Sequence, residues 1–479
     1  MSMQLNQHIE RSTNPGKKFF AHLAAVVTSL MLAPASLGAN PFITSIYAAD
    51  PSAHVWADGR LYVYPSHDID PPRGCDLMDR YHVFSTDDMA HWRDEGEVLR
   101  ASQVSWGRPE GGFMWAPDCA YKNGKYFFYF PHPSGANWND TWKIGVATSP
   151  EPASDFTSLG YIPGVDGFAM IDPAVFMDTD GQAYLYFGGG GHCAGVKLKP
   201  NMVEINGAVQ PMTGLTDFHE ATWVFKRNGI YYLTYADNYP GSNRMQYATS
   251  PNPLGPWTSK GVYLDPTGCD TTHGSVVEYK GHWYQFYHNC SISGQGNLRS
   301  LCVDLLNFDT NGNILKVIQT KTGPPAVGPA PAPGENTVKY EAETGTVTNG
   351  AAVANDRAAS GGQCIENLEL PNAYVELDSV DGGANGGRTA MEIRFATDDT
   401  RAKLQLAVNG VDYSFLNTLY TGGWSAFAGE ADFTIPLQPG PTNVIRLTGG
   451  NGGVNVDYLT FTPLPAGPLL SARGPVIHE

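Results

Sequence analysis

The sequence predicts an all-β chain: a five-bladed β-propeller followed by a β-sandwich of jelly-roll type. Three observations carry that expectation. Short strands rich in Tyr and Phe follow glycine turns through much of the chain, and such residues favour pleated, half-buried surfaces. One of these units recurs five times at intervals of roughly 50 to 65 residues, the period of a four-stranded blade that cannot bury its faces alone. A Pro/Ala/Gly-rich segment then separates the repeats from about 125 residues of alternating strands, the pattern of a sandwich.

Taken in order, residues 1–39 carry Arg11, Lys17 and Lys18, an apolar run from Phe19 to Leu32, and small residues at Ala33, Ala35, Ser36 and Ala39. Charge, apolar core and small residues in that order mark a secretory signal, which implies a secreted or periplasmic protein. No later stretch reaches membrane-spanning length. Residues 40–322 hold the repeats, with strands expected at Arg60–Tyr64, Lys125–Phe130, Gln182–Phe187, Ile230–Tyr235 and His282–Tyr287. Residues 323–337 read as a semi-rigid linker. Residues 338–464 form the expected sandwich, with strands at Ala373–Leu377, Ala390–Ala396, Ala402–Val408 and Asn443–Leu447. The tail, 465–479, shows no readable pattern.

Composition narrows the function. The formal net charge of −17 leaves no basic footprint to displace counterions, which argues against nucleic acid as a partner. Seven cysteines without any C-x-x-C spacing make zinc and redox motifs poor readings. The chain is expected to act as a monomer.

The repeats supply the chemistry. Aligned on Gly59, Gly124, Gly181, Gly229 and Gly281, they place Tyr62, Phe127, Tyr184, Tyr232 and Tyr284 three residues later. Nine residues before each glycine, eight in the last copy, stand Asp50, Trp115, Asp172, Glu220 and His273. Equivalent positions on successive innermost strands ring one mouth of a propeller channel, so these distant residues become neighbours. A lone Asp before Pro more simply caps a turn; three acids in one column favour chemistry. Hydrolysis of a glycosidic bond needs two carboxyl groups, one as acid and one as base or nucleophile. A third close by raises the acid's pKa, because like charges disfavour a second ionisation. Trp115, with Phe113 and Trp138, offers an apolar floor for a sugar ring. The loop Pro71–Asp76 at the first repeat reads as an insertion that narrows the pocket. Asp178-Thr179-Asp180-Gly181 and Asp309-Thr310-Asn311-Gly312 read as hairpin turns, since both lack the distal glutamate of a calcium loop.

The motifs Ala49-Asp50-Pro51, Trp115-Ala116-Pro117-Asp118, Ile171-Asp172-Pro173-Ala174-Val175-Phe176, His219-Glu220-Ala221 and His273-Gly274-Ser275 occur in this order. Together they resemble the family 43 glycoside hydrolases, inverting five-bladed propellers that remove arabinose and xylose from plant polysaccharides. The resemblance implies Asp50 as general base, Glu220 as general acid, and Asp172 as the carboxylate that tunes and holds Glu220. It also implies that Arg299 lies near the substrate and orients Asp172, and that His273 faces the channel centre beside a calcium ion or its waters.

Tyr340-Glu341-Ala342-Glu343, Thr421-Gly422-Gly423-Trp424 and Asn451 to Tyr458 resemble family 6 carbohydrate-binding modules. That resemblance implies a structural calcium held by Glu341, Glu343 and Asp457, and glycan binding by Trp424, Tyr374 and Asn455. Phe427 stands where a second tryptophan is common. Flat rings pack on sugar faces and a terminal amide bonds hydroxyls.

The expected activity is α-L-arabinofuranosidase on arabinoxylan, with β-xylosidase as the alternative, then a galactan-directed exo-glycosidase. A retaining fructan enzyme is disfavoured by the absence of Asn-Asp-Pro-Asn. A non-catalytic glycan-binding protein is disfavoured by the three retained carboxyl groups.

Overall fold

The computed structural model describes residues 39–69, 74–137, 140–166, 170–328, 336–399 and 401–464. The signal expected at 1–39 (all but Ala39), Pro71 to Arg73, Trp138 and the tail 465–479 therefore lie outside the described residues, as does the middle of the expected linker, 329–335. What is described is all-β apart from short helical turns.

The repeat region folds as five antiparallel sheets in chain order. The first holds β1 (Ala48–Val55), β2 (Leu61–His67), β3 (Arg80–Thr86) and β4 (Arg93–Arg100). The second holds β5 (Asp118–Lys122), β6 (Lys125–Pro133), β7 (Trp142–Ser149) and β8 (Thr157–Asp166). The third holds β9 (Ala174–Met177), β10 (Ala183–Gly189), β11 (His192–Lys197) and β12 (Gln210–Pro211). The fourth holds β13 (Phe218–Arg227), β14 (Ile230–Asp237), β15 (Met245–Ser250) and β16 (Thr258–Leu264). The fifth holds β17 (Ser275–Tyr279), β18 (His282–Asn289) and β19 (Ser300–Leu305).

The repeat glycine sits at the first hairpin of every sheet, and all five have φ near +80° (79° to 82°). Asn123-Gly124, Asn228-Gly229 and Lys280-Gly281 are two-residue turns with both residues left-handed, the turn whose twist matches the flanking strands.

No sheet buries both faces by itself, and the cores show how the chain solves this. One apolar cluster joins the first and second sheets (Tyr64, Tyr81, Phe128, Phe130) and another the second and third (Tyr129, Ile144, Leu185, Phe187). A third joins the third and fourth (Tyr186, Leu233, Tyr235) and a fourth the fourth and fifth (Phe225, Tyr247, Tyr287). The last joins the fifth back to the first (Leu61, Phe84, Tyr284, Phe286). The first strands also touch in a closed cycle, β1 to β5 to β9 to β13 to β17 and back to β1. The segment before β1 runs beside β19, with Phe42 N–H donating to the Leu301 carbonyl and Ala48 N–H to that of Arg299. The start of the described chain thus ties down the last sheet of the ring.

The second region runs through β20 (Val338–Glu341), β21 (Thr346–Thr348), β22 (Ala352–Asn355), β23 (Gln363–Glu366) and β24 (Tyr374–Asp381). It continues with β25 (Gly387–Ala396), β26 (Arg401–Val408), β27 (Val411–Leu419), β28 (Gly429–Leu437), β29 (Pro441–Gly449) and β30 (Asn455–Pro463). One sheet has the order β21-β24-β29-β26-β27, and the other contains β28-β25-β30-β23-β22 with β20 beside β30. Residues of both sheets, among them Leu377, Leu404, Ile445, Ile393, Phe433 and Leu459, share one buried core.

The second sheet is continuous with the first sheet of the repeats. β28 pairs in parallel with β4 at Asp432–Arg93 and Phe433–Asp94, giving one ten-stranded sheet. Buried Glu95 pins the seam: it accepts the Ser85 hydroxyl at 2.6 Å, the Thr434 hydroxyl at 2.7 Å and Arg388 Nη2 at 2.9 Å.

Candidate active site

Two of the column carboxylates, and the neighbour of the third, adopt a backbone that few side chains accept. Asp50 and Asp172 have φ of 53° and 52°, and Ala221, next to Glu220, has 67°. The β1–β2 ladder slips between Ala49 and Ser52, and the β13–β14 ladder slips on both sides of Glu220. Bulges bend a strand and re-aim a side chain, and they persist near active sites because the surroundings over-determine them. Pro51 and Pro173 fit this break, since neither offers an N–H to the ladder.

Asp50 is buried among polar partners. Oδ2 accepts the Ser66 hydroxyl at 2.6 Å, and Oδ1 accepts Arg299 Nη1 at 2.9 Å. Its backbone N–H donates to His288 Nδ1 at 3.0 Å. That bond requires an unprotonated Nδ1, so the His288 proton sits on Nε2, 2.9 Å from the Thr271 carbonyl. Burial pushes the Asp50 carboxyl up, but Arg299, the two nearby imidazoles and Ser66 outweigh it and hold it at about 2. Desolvation lowers His288 to about 3 and His273 to about 4, so both rings are neutral at neutral pH.

Asp172 is also buried. Its Oδ2 accepts the Ala221 N–H at 2.7 Å, and its carbonyl accepts the Thr222 hydroxyl at 2.6 Å. Burial, then the charges of Glu220 and Asp50, push its carboxyl well above the usual range. Glu220 is raised as well, by burial first, against the pull of His219, whose Nε2 lies 3.6 Å from Oε2. Repulsion makes the two carboxyls titrate as a pair that holds a proton to higher pH than a solvated acid would. His273 Nδ1 stands between the column acids, 3.8 Å from Asp50 Oδ1 and 3.7 Å from Asp172 Oδ2.

Arg299 departs from the expectation that it would orient Asp172, because its guanidinium bonds Asp50. Nη1 also reaches the Thr271 hydroxyl at 3.0 Å. Asp68, 1% exposed, accepts from Arg299 Nε at 2.9 Å, from Nη2 at 2.8 Å and from the backbone N–H at 2.8 Å. Neither Asp68 nor His288 belongs to the repeat column. A second column holds them: Asp68, His132, Asp237 and His288 stand seven to nine residues after their glycines, and all four are buried. That register was the signal available in the sequence.

Trp115 joins an aromatic wall, its ring 4.5 Å from Trp142 and 5.8 Å from Phe113. Trp142, which the strand pattern did not single out, is buried with Phe113 and Ile171, the residue before Asp172. Gly112 explains how the wall meets the Gly74–Leu77 turn: a Cβ there would lie 2.1 Å from the Asp76 carbonyl oxygen. At the other ends of the first strands a cavity of about 530 Å³ is walled by His54, Trp56, Trp223, Phe225 and Trp283, and none of the three acids lines it. Asp118 lies on that side, fully buried, accepting from the Val175 N–H and paired to His54 Nε2, each at 2.6 Å.

In the second region Trp424 is 42% exposed and rests over Gly453, where a Cβ would lie 2.5 Å from the ring. Asn455 Nδ2 donates to the Trp424 carbonyl at 2.9 Å, so this amide holds the tryptophan loop. Tyr374 lies under the Arg446 guanidinium at 4.3 Å, and Phe427 is buried. Glu341 Oε2 and Glu343 Oε2 are buried without a hydrogen-bond partner. Asp457 accepts the Ser360 N–H at 2.8 Å and Arg394 Nη1 at 3.0 Å. Burial, then the charges of Glu341 and Asp457, raise the Glu343 carboxyl. Two orphaned carboxylate oxygens in one acidic cluster fit a hard cation that takes oxygen ligands, although Lys339 Nζ already lies 2.6 Å from Glu341 Oε1. The surroundings of His273 fit less well, since the nearest carboxylate oxygens already accept from Arg299 and Ala221. No group of three or more His, Cys, Asp or Glu side chains converges on a metal position among the described residues.

Residues 39–314 match the family described as glycosyl hydrolases family 43. The chain is 36% identical over 332 residues to xylosidase/arabinosidase 43A of Humicola insolens, covering 57% of this chain and 98% of that protein. A β-xylosidase/α-arabinofuranosidase from a compost microbial metagenome, solved with xylotriose in a calcium-free form, is 33% identical with a TM-score of 0.53. That match covers 58% of this chain and 96% of that one. A family 43 arabinoxylan arabinofuranohydrolase from Bacillus subtilis, solved with cellotetraose, matches at 27% identity and a TM-score of 0.55. It spans 89% of this chain and 98% of that one, and so includes the second region.

Proposed function

Since the chain belongs to glycosyl hydrolases family 43, an inverting family, we propose that it releases terminal pentose units from arabinoxylan, as an α-L-arabinofuranosidase. The observation that carries the hydrolytic part of this reading is the buried cluster in which Asp50, bonded to Arg299, is held low and Glu220 and Asp172 are held high, and the likeness across both regions to an arabinoxylan arabinofuranohydrolase supports the choice of sugar. Acid and base roles are separated when the environment pushes two carboxyls apart. Asp50, ionised, takes a proton from water as it attacks the anomeric carbon. Glu220, protonated, donates to the departing oxygen. Asp172 supplies the negative charge that keeps the proton on the pair, and the Phe113–Trp115–Trp142 wall packs against the sugar. Arg299 acts on the site through Asp50.

The second reading is β-xylosidase, favoured by the names of the relatives that join both activities. Both reactions use the same carboxyls, so the pocket wall decides between them. Wild-type protein is expected to free arabinose from arabinoxylan and from an aryl arabinofuranoside faster than xylose from xylotriose or an aryl xyloside. Faster xylose release would make β-xylosidase the correct reading, and sugar binding without hydrolysis of any of these would overturn both. The first-formed anomer, followed by NMR, reports the inversion.

The five sheets and their five intervening cores support a five-bladed propeller, and the two sheets of residues 338–464 support a sandwich acting as a carbohydrate-binding module like those of family 6. Trp424 supplies its exposed ring, and a calcium ion held by Glu341 and Glu343, beside Asp457, would stabilise the module. Tethering such a module raises the effective substrate concentration at the catalytic site. Export, in line with the segment at 1–39, would put the enzyme where plant polysaccharide is found.

A further inference from the structure

Arg299 is the only cation bonded directly to an Asp50 oxygen among the described residues, and the way it is held is unusual for an arginine–carboxylate pair. A free guanidinium pairs a carboxylate through two parallel N–H bonds. Taking Asp50 that way would tie both of its oxygens. Instead, Asp68 occupies the Nε–Nη2 edge with bonds of 2.9 and 2.8 Å and also accepts the Arg299 backbone N–H at 2.8 Å. The Thr271 hydroxyl sits 3.0 Å from Nη1, which leaves one bond of 2.9 Å from Nη1 to Asp50 Oδ1. Among the described residues Asp50 Oδ2 then has only the Ser66 hydroxyl, and a carboxylate oxygen has a second lone pair for a further donor.

We propose that Asp68 is the positioning residue of the general base: by claiming one edge of Arg299 it restricts that guanidinium to a single bond with Asp50 and keeps Asp50 Oδ2 open to the proton of the attacking water. Asp68, buried and bonded to Arg299 through both carboxylate oxygens, acts through Arg299. The inference rests on the reading of Asp50 as the base.

In hydrolysis the water oxygen bonds to the anomeric carbon while its proton passes to Asp50. The glycosidic C–O bond breaks, and the departing oxygen takes its proton from Glu220. Azide anion can replace water: it brings an electron pair with no proton to lose, forms a C–N bond and yields the glycosyl azide. A defect confined to the base is therefore relieved by azide, whereas a general loss of structure or of substrate binding is not.

Asp68→Asn keeps the shape and removes the charge that holds Arg299. On an aryl arabinofuranoside and an aryl xyloside its kcat is expected to fall on the order of 100-fold, the scale of a misplaced catalytic group, with KM little changed. Sodium azide should restore most of the lost rate as glycosyl azide, at a circular dichroism spectrum matching wild type. An unchanged kcat, or a loss that azide does not relieve in folded protein, overturns the proposal. Should Asp68→Asn fail to fold, Asp68→Glu, which retains the charge and displaces it by one methylene, is read by the same two outcomes. Asp50→Ala with azide separates the premise from the proposal. Failure of rescue there removes Asp50 as base, while rescue of Asp50→Ala but not of the Asp68 variants sinks Asp68 alone.

Discussion

Asp50 and Glu220 are both carboxylic acids in one buried site, and their neighbours drive them in opposite directions. Asp50, at about 2, is ionised at every working pH, whereas Glu220 keeps its proton above its ordinary range. As pH rises, activity is expected to fall when the Asp172–Glu220 pair gives up its proton. Removing the like charge by Asp172→Asn should therefore move the alkaline limb of kcat/KM to lower pH; a limb that stays put or rises would refute this use of Asp172. Glu220→Ala should lose about 10²- to 10⁴-fold on arabinoxylan, the usual contribution of a general acid. It should lose far less on an aryl glycoside whose leaving group needs no proton, and equal losses on both would dismiss Glu220 as the acid. The column that holds these acids was legible in the sequence because a turn glycine indexes it in every repeat, and acids fill three of its five positions. Asp68 and His288 were harder to see, because the position they share runs from seven to nine residues past the glycine and holds different residue types. Trp142 was hidden for another reason: its ring reaches Trp115, which lies before β5, from the start of β7, and no spacing along the chain reports such a contact.

At the scale of elements, hairpins were the most legible feature and the seam between β4 and β28 the least. Asn-Gly turns and aromatic alternation are local signals, but a parallel pairing between Arg93 and Asp432 joins residues more than three hundred apart and leaves no pattern in either strand. The seam also has its own chemistry. Burial, then Glu392, raises the Asp432 carboxyl from its ordinary 3.8 to about 7. A raised acid binds its proton more tightly folded than unfolded, so its stabilisation is complete below 3.8 and fades as pH climbs through 7. Urea midpoints should accordingly be lower at pH 8 than at pH 5, and Asp432→Asn should shrink that difference. If the wild type showed no such decline, the seam would not be where Asp432 exerts its effect.

For the whole molecule, five apolar cores join the sheets of the repeat region in cyclic order, and a separate large core joins the two sheets of residues 338–464. A calcium ion at Glu341 and Glu343 would act on the stability of residues 338–464 as a whole. Millimolar calcium should raise the melting temperature of the wild-type protein, EDTA should lower it, and Glu343→Gln should blunt the response. A melting curve indifferent to both would leave the two orphaned oxygens of Glu341 and Glu343 without a cation.

The seam also bears on how the enzyme can be cut. A boundary at 329–335 looks, from composition, like the natural place to isolate a catalytic fragment. Yet removing the second region there would strip β28 from β4 at Arg93 and Asp94, where the two strands pair, and open that end of the outer edge of β4. An open edge is a template for another chain. Glu95, bereft of Arg388 and Thr434, would add a carboxylate with too few partners. The fragment 1–328 is thus expected to self-associate in light scattering at concentrations where the full chain stays monodisperse, and engineers who want a minimal catalyst would do better to cap that edge than to trim it.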